Sequence, residues 1–124
     1  MPTTRFAPNV VAKVDAAKSL GVRSGDTHKH TNVWVVVVNG RVLVRSWNDK
    51  PTGWFRAFRK QPLGAIVLKG KPIPARGIHV RNAALIRAVS DALAAKYPHK
   101  GSQHYIEGFR EPKRKKTTLE FVPA

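Results

Sequence analysis

The chain contains 124 residues, a length that fits one folded domain and is too short for two independent hydrophobic cores. Lysine and arginine number 23 against 7 aspartates and glutamates, so the formal net charge of +16 favours an anionic partner. Hydrophobic residues make up 42% of the chain, too large a share for a disordered protein of the basic-tail type. The chain has no cysteine, which excludes disulfides, thiolate metal sites and cysteine nucleophiles.

No apolar run in the sequence is long enough to cross a bilayer. The longest, residues 33–38, is far shorter than the roughly 20 residues that a transmembrane helix requires. Residues 1–8 lack the apolar core of a secretory signal. We therefore expect a cytoplasmic protein without a membrane partner, in which residues 1–8 form a flexible tail on a single domain spanning 1–124.

The N-terminal segment combines a helical pattern with a short strand. Apolar residues at spacings of three and four predict an amphipathic helix over residues 9–18, with Asn9 as its cap. A brief strand over residues 19–23 follows, and Ser24-Gly25-Asp26 is typical of a turn.

The strongest local signal is Asn39-Gly40 between two β-branched runs, because both residues tolerate the positive φ angles of a type I′ turn. It predicts a hairpin of strands 33–38 and 41–47. One face of this hairpin mixes Trp34, Val36 and Leu43 with arginines, which favours a barrel wall covered by a ligand, a helix or a second subunit. The other face is wholly aliphatic: Val35, Val37, Val42 and Val44.

A short helix and two strands are predicted next. Aromatic residues at helical spacing indicate a helix over residues 53–60, and strands over 64–68 and 73–80 follow it. Pro72 and Pro74 remove backbone donors, so the second strand is predicted to be an edge or a bent strand.

The C-terminal third contains the longest predicted helix, over residues 82–97, which carries one continuous apolar stripe. Residues 99–108 are irregular or form a second short helix, and residues 117–122 form the last strand. Six short strands with inserted helices indicate an α+β barrel.

Two segments combine cations with residues that bind anions or rings. Arg23, Ser24 and Gly25 at a strand end can form a concave anion site, with an ordinary surface turn as the alternative. Arg45, Ser46, Trp47 and Trp54 surround the next turn, where indole and guanidinium planes can stack on a flat ring. The alternative is that Trp54 plugs the end of the barrel.

The positive charge lies within the predicted fold. Between Arg41 and Arg87 there are eleven basic residues and one acid, Asp49, a net charge of +10. A second basic cluster over residues 110–116 is interpreted as a solvated turn. Asp26, His28 and His30 alternate as metal ligands would, but the surrounding positive charge opposes a cation, so we predict no metal site.

Several segments together resemble an uncharacterised domain-of-unknown-function family over nearly the whole chain. These segments are residues 20–25, 33–38, 41–46, 54–56, 95–97 and 117–123. That family is similar to the FMN-binding split β-barrels, a superfamily that includes pyridoxamine-phosphate oxidases and deazaflavin-dependent nitroreductases. The resemblance implies a small split β-barrel of about six strands with flanking helices, and a homodimer with cofactor sites at its two-fold interface.

In the deazaflavin-dependent relatives, a basic residue, a hydroxyl residue and glycine bind the cofactor phosphate, and Arg23-Ser24-Gly25 matches them. Their serine after the hairpin corresponds to Ser46, and their Pro-x-Trp segment is matched loosely by Pro51 and Trp54, which have two residues between them. The chain departs from them at Arg45, where they have a small residue, and at Trp47, where their loop is glycine-rich.

Motifs and resemblance together predict a phosphate-bearing cofactor, either FMN or the 8-hydroxy-5-deazaflavin coenzyme, and an oxidoreductase as the class of enzyme. The phosphate would contact Arg23-Ser24-Gly25, Arg45 and Ser46, with the ring near Trp47 and Trp54. No catalytic residue is identified. Two alternatives stay open. A non-enzymatic basic barrel would bind single-stranded nucleic acid, and a barrel without a cofactor would act through protein contacts.

Overall fold

A nearly closed antiparallel barrel forms the framework of the protein, as the computed structural model of residues 5–26 and 29–124 describes it. Within these residues seven strands join in the order β2-β1-β5-β6-β7-β4-β3. The strands are β1 Leu20–Ser24, β2 Thr31–Val33, β3 Val35–Val38, β4 Arg41–Arg45, β5 Leu63–Leu68, β6 Lys71–His79 and β7 Thr118–Pro123.

Five α-helices accompany the strands in the described part of the chain, so the predicted α+β barrel is confirmed. A 3₁₀ turn at Lys100–Ser102 precedes the fourth helix. None of these helices has the length and apolar character needed to cross a bilayer. The helices are α1 Pro8–Ala16, α2 Trp54–Lys60, α3 Ala83–Lys96, α4 Gln103–Phe109 and α5 Pro112–Lys115.

The barrel closes at Trp34. β2 and β3 are the two outermost strands of the sheet, yet only Trp34 separates them in the chain. Residues 31–33 pair with β1 and residues 35–38 pair with β4, so one extended segment joins both edges. The sequence predicts a single strand here, and its division at Trp34 explains why seven strands are observed against a prediction of about six.

The predicted hairpin is confirmed in its turn and in its register. Asn39 and Gly40 have φ angles of 50° and 77°, as a type I′ turn requires. Val38 pairs with Arg41 and Val36 pairs with Leu43, and the β3–β4 ladder begins at the pair of Val35 and Val44.

The two faces of the hairpin contribute to separate hydrophobic clusters. The aliphatic face enters the barrel core, where Val35, Val42 and Val44 are buried beside α1 and α2. On the opposite face, Val36 and Leu43 are buried against α3 and α4. The sequence allowed a ligand, a helix or a second subunit to cover the outer face of the hairpin. In the structure, helices α3 and α4 cover it.

Pro72 and Pro74 lie in an interior strand, so the edge strand, one of the two predicted alternatives beside a bent strand, is wrong for β6 as a whole. β6 pairs with β5 on one side and β7 on the other. Both prolines pair only with β5, because the ladder to β7 begins at Ala75. The missing N–H groups therefore lie beyond the β6–β7 ladder, where the Pro74 carbonyl oxygen accepts from the Ala124 N–H at 3.4 Å and no ladder bond requires a proline donor.

The N-terminal segment begins its fold before residue 9. Phe6, within the segment expected to be a tail, is buried in the barrel core at 7% exposure. Pro8 opens α1, and Ala7 stands at the N-cap without a side-chain bond, so the predicted cap at Asn9 is wrong. Proline is favoured at the first helical position because its fixed φ suits the helix and its N–H would have no partner there.

The longest helix, α3, matches its predicted range of 82–97 to within one residue at each end. Asn82 precedes α3, and its side-chain oxygen accepts a hydrogen bond of 2.9 Å from the Leu85 N–H. This bond satisfies one of the unpaired donors of the first turn. The side chains of Val89 and Leu93 are buried against the outer face of the hairpin, as the predicted apolar stripe requires.

Candidate functional site: an aromatic cavity at the barrel closure

A cavity of about 700 Å³ lies beside the closure at Trp34. Segments that are distant in sequence form it: residues 31–34, the end of β4, the beginning of α2 and one face of α4. Five aromatic side chains dominate its wall: Trp34, Trp47, Trp54, Tyr105 and Phe109.

Ring contacts hold Trp34 in place. Its indole stacks on the Tyr97 ring, with centroids 4.1 Å apart and planes inclined by 7°. The Tyr97 hydroxyl donates to the Lys18 carbonyl oxygen at 2.7 Å, which fixes the ring beneath the indole. Because Tyr97 does not line the cavity, Trp34 is supported from behind.

Trp47 is also supported from outside the cavity. The Arg114 guanidinium carbon lies 3.6 Å from the indole centroid, a close cation–π contact. The same guanidinium donates through Nε to the Trp47 carbonyl oxygen at 2.9 Å. The Arg114 side chain is only 14% exposed, so the interpretation of residues 110–116 as a solvated turn is wrong for this residue.

Gly108 gives the Trp47 ring its space. A Cβ atom at residue 108 would overlap Cη2 and Cζ3 of the indole. Trp47 also meets Tyr105 and Phe109 edge to face, at centroid distances of 5.0 and 5.2 Å. The ring is therefore confined by α4 along one side and by Arg114 across one face.

A Gly108→Ala variant is expected to lose about 2 kcal/mol of unfolding free energy, the usual cost of overpacking. Alanine favours a helix over glycine by about 1 kcal/mol, so a loss would show that the clash with Trp47 outweighs the helical preference. Urea denaturation measures the change. In a Trp47→Leu background the same substitution should become neutral or stabilising, and an equal loss in both backgrounds would contradict the assigned clash.

Arg45 is buried at 3% exposure and reaches out of the hairpin toward three other elements. Its Nε donates to Thr118 Oγ1 at 2.8 Å, in β7. Its Nη1 donates to Ser90 Oγ at 2.8 Å and to the Phe109 carbonyl oxygen at 2.9 Å. Its Nη2 donates to the Ile86 carbonyl oxygen at 2.9 Å. Four of the five N–H groups of this guanidinium therefore bind protein oxygens.

No carboxylate of the described residues lies within 4.0 Å of the Arg45 guanidinium. Its four acceptors are hydroxyl and carbonyl oxygens. Burial, with a smaller contribution from the positive charge of Arg110, lowers the pKa of Arg45 to about 10. At neutral pH the group remains protonated, so an uncompensated positive charge lies in the wall of the cavity.

Ser46 lines the cavity beside Arg45, but its polar groups have partners within the protein. Its hydroxyl donates to the Asn48 carbonyl oxygen at 2.9 Å and shapes the turn after β4. Its backbone N–H donates to Thr117 Oγ1 at 3.0 Å. Ser46 therefore defines the shape of the cavity wall.

Arg23, Ser24 and Gly25 lie outside the cavity lining, at the far end of α2. The Ser24 hydroxyl donates toward two carbonyl oxygens at the end of that helix, Gln61 at 2.8 Å and Ala57 at 3.1 Å. Gly25 has a φ of 66°, which a turn after β1 requires. The segment ties β1 to α2. Because α2 has seven residues, this segment is separated from Trp54 by about 10 Å of helix.

The structure thus brings together four of the seven predicted site residues, Arg45, Ser46, Trp47 and Trp54, and separates the other three from them. The charge balance around these four is positive. Lys50 is exposed at the rim, Arg45 lies in the wall, and no carboxylate occurs among the lining residues that the structure describes. The lining suits an anionic ligand with a flat apolar portion.

Comparison with known proteins places the chain in a family. The family model described as an uncharacterised protein conserved in bacteria, DUF2255, matches residues 10–121. The chain belongs to the DUF2255 family. A search of curated proteins finds no significant match.

Solved structures with a similar fold include one that matches the whole of this DUF2255 chain. It is the conserved hypothetical protein Rv2991 from Mycobacterium tuberculosis, with a TM-score of 0.58 and 10% sequence identity. The similarity covers 100% of this chain and 83% of that chain. At this identity the comparison supports the barrel fold alone.

Three of the five aromatic residues in the cavity wall are absent from the sequence-predicted site: Trp34, Tyr105 and Phe109. The alternation of side chains along the hairpin places Trp34 on the same face as Arg45. This shared face was the sequence signal that could have added Trp34 to the predicted site. Tyr105 and Phe109 belong to α4, and nothing local in residues 99–108 indicates that they meet a tryptophan more than fifty residues earlier.

The structure does not describe all three residues considered as metal ligands, Asp26, His28 and His30. Asp26 and His30 belong to the described chain, whereas His28 lies outside the described residues. Among residues 5–26 and 29–124, no group of three or more histidine or carboxylate side chains is placed to hold a metal ion.

Proposed function

We propose that this DUF2255 protein binds a planar, anionic ring compound in the aromatic cavity, and that FMN or the 8-hydroxy-5-deazaflavin coenzyme is the ligand. The observation that carries the proposal is the combination of a five-ring aromatic wall with two cations and no described carboxylate. Aromatic surface favours a flat ring, and the unopposed charge favours an anion over a neutral or cationic compound.

The size of the cavity supports a ligand of this class. About 700 Å³ lies within the range of roughly 300–1,000 Å³ that small-molecule sites occupy. Trp34 and Trp47 are each supported on a side outside the cavity, by Tyr97 and by Arg114. Rings held in this way lose little conformational freedom when a ligand packs against them.

The phosphate of such a ligand would lie near Lys50. This side chain is exposed at the rim, so it is available to an incoming anion. Arg45 contributes its charge from the wall, although four of its N–H groups are already bonded. The Ser24 hydroxyl already donates to α2, which favours the Lys50 rim over residues 23–25.

A bound flavin or deazaflavin supplies the electron-transfer chemistry of an oxidoreductase. The contribution of this chain is to hold the ring between fixed aromatic side chains and to offset the charge of the phosphate. Trp54 at the start of α2 packs against the barrel-core cluster, and Trp34 at the barrel closure packs against the cluster under α3 and α4, and both line the cavity. We therefore assign them to ring binding.

Titration of the purified protein with FMN, riboflavin and the deazaflavin coenzyme, followed by fluorescence quenching, tests the proposal. FMN is expected to bind with a Kd below about 100 μM, and riboflavin, which lacks the phosphate, about tenfold more weakly. Lys50→Gln should remove most of the preference for FMN over riboflavin, leaving the part due to Arg45, and should leave the affinity for riboflavin unchanged.

Lys69→Gln is the matched control, because Lys69 is an exposed lysine in the β5–β6 turn away from the cavity lining. It should leave the affinity for all three compounds unchanged. Failure of FMN, riboflavin and the deazaflavin coenzyme to bind at 100 μM would refute the proposal. Equal affinity for FMN and riboflavin would refute the role of Lys50.

A further inference from the structure

A basic surface separate from the cavity lining lies where the end of β6 meets the loop before β7 and the outer side of α2. Contacts connect its parts. His79 Nε2 lies 2.6 Å from the Lys116 carbonyl oxygen, and the His79 ring lies 5.5 Å from the Phe55 ring. Arg59 covers the Phe55 ring with its guanidinium carbon 5.9 Å from the centroid. Arg81 is two residues after His79, and Lys115 precedes Lys116 directly. We call these five residues the His79 surface: Arg59, His79, Arg81, Lys115 and Lys116.

The charges of the His79 surface are not neutralised within the described chain. Arg59, Arg81 and Lys116 are exposed, and neither they nor Lys115 has a carboxylate within 4.0 Å among the described residues. The ion pairs of the described chain instead engage cations elsewhere: Arg41, Arg56, Arg110, Lys113 and Arg114. The four uncompensated cations project a positive field from one region.

The His79 surface adjoins the aromatic cavity through α2. Phe55, beneath Arg59, meets Trp54 edge to face with ring centroids 6.2 Å apart, and Trp54 lines the cavity. A chain of phosphates that followed the cations would therefore pass close to an indole ring. Proteins that bind single strands combine these two features, a cationic track for the backbone and aromatic rings for the bases.

We infer that the His79 surface binds the phosphate backbone of single-stranded nucleic acid, with a base reaching Trp54 at the mouth of the cavity. A membrane is a poorer partner, because the apolar side chains of α2, Phe55 and Phe58, are 5% and 1% exposed and cannot enter lipid. The cations of this surface are separate from the proposed cofactor site, because they do not line the cavity, and Trp54 is the residue that the two proposals share.

The experiment measures binding of a fluorescent thymidine 16-mer over a range of salt concentrations. With four cations engaged, the slope of log K against log salt is expected to be near −3, about −0.7 for each phosphate contact. Lys115→Gln with Lys116→Gln should reduce the slope by about 1.4 and weaken binding at least tenfold at 0.1 M salt. Arg59→Gln, on a different element, should reduce the slope by about 0.7.

The matched control removes two lysines from the opposite end of β6. The double variant Lys69→Gln with Lys71→Gln makes the same change in net charge. Lys71 is eight residues before His79 in β6, a separation of about 26 Å along an extended strand. This control should retain the wild-type slope. Equal losses in the two double variants would overturn the inference in favour of diffuse attraction.

Two other outcomes would also overturn it. One is no binding of the 16-mer at 20 mM salt. The other is equally tight binding of poly-glutamate or of phosphatidylserine vesicles, which would assign the surface to acidic partners in general or to lipid.

The result does not depend on the cofactor proposal, because FMN binding responds to Lys50→Gln and the 16-mer responds to Lys115 and Lys116. If both ligands bind, FMN should compete only with the base at Trp54 and should leave the salt slope largely unchanged.

Discussion

Replacing Arg45 by methionine is expected to lower the free energy of unfolding by about 3 kcal/mol. Methionine has a similar length and no donor, so the four hydrogen bonds to β7, α3 and α4 are lost. The Phe109 and Ile86 carbonyl oxygens then lose a partner in a buried region. Removal of the buried charge offsets part of this loss, because a guanidinium is costly to desolvate. Urea denaturation with a shared m value measures the difference.

Arg56→Met is the control for Arg45→Met. Arg56 forms a bidentate ion pair with Asp49, with hydrogen bonds of 2.9 and 3.2 Å, but both side chains are exposed to solvent. An exposed ion pair contributes little to stability, so the denaturation midpoint should not change. Unchanged stability of Arg45→Met would instead show that desolvation of the guanidinium cancels its four bonds.

The effect of Arg45→Met should not depend on pH between 6 and 9. Burial lowers the pKa of Arg45 to about 10, below its ordinary value in the unfolded chain. The unfolded state therefore binds more protons only above about pH 10, where the stability contributed by this group rises with pH. Below that range the guanidinium is protonated in both states. A difference between variant and wild type that changed across pH 6–9 would contradict this account.

Gly64→Ala is expected to cost about 3 kcal/mol or more of unfolding free energy, at the upper end of overpacking effects. In β5, Gly64 pairs with Ser24 of β1, and a Cβ would overlap the Arg23 carbonyl oxygen. It would also lie 2.9 Å from the Ser24 Cα atom. These neighbours are backbone atoms of a paired strand, so relief of the clash requires β1 to move. Thermal and urea denaturation both measure the loss.

Gly101→Ala is the control for Gly64→Ala. A Cβ at Gly101 meets no atom within 4 Å, so the substitution should be neutral or slightly stabilising. If Gly64→Ala had the same midpoint as Gly101→Ala, the pairing of β1 with β5 would be looser than the structure describes.

Local patterns predicted much of the fold. The Asn39-Gly40 turn determines the register of its hairpin because both the turn and the pairing residues lie within a few positions of each other. The extent of α3 follows from an apolar stripe within one segment. The division at Trp34 was not predictable in this way, because β2 and β3 differ only in their distant partners, β1 and β4.

The candidate site was predicted in part for the same reason. Ser46 and Trp47 follow Arg45 directly, so the turn after β4 was recognisable as one unit. Arg23, Ser24 and Gly25 form an equally plausible anion motif in sequence, yet in the structure the Ser24 hydroxyl donates to the end of α2, 33 and 37 residues away. A motif cannot show whether a hydroxyl already has a partner of its own.

The sequence by itself determined the class of fold, the hairpin, the long helix and an excess of positive charge within the barrel. Only the tertiary structure decided how that charge is used. Arg45 is buried among acceptors 41 to 73 residues away, whereas Lys50 is exposed at a cavity rim. The physical reason is that burial and partners determine whether a cation holds elements together or attracts an anion, and both depend on contacts between distant segments.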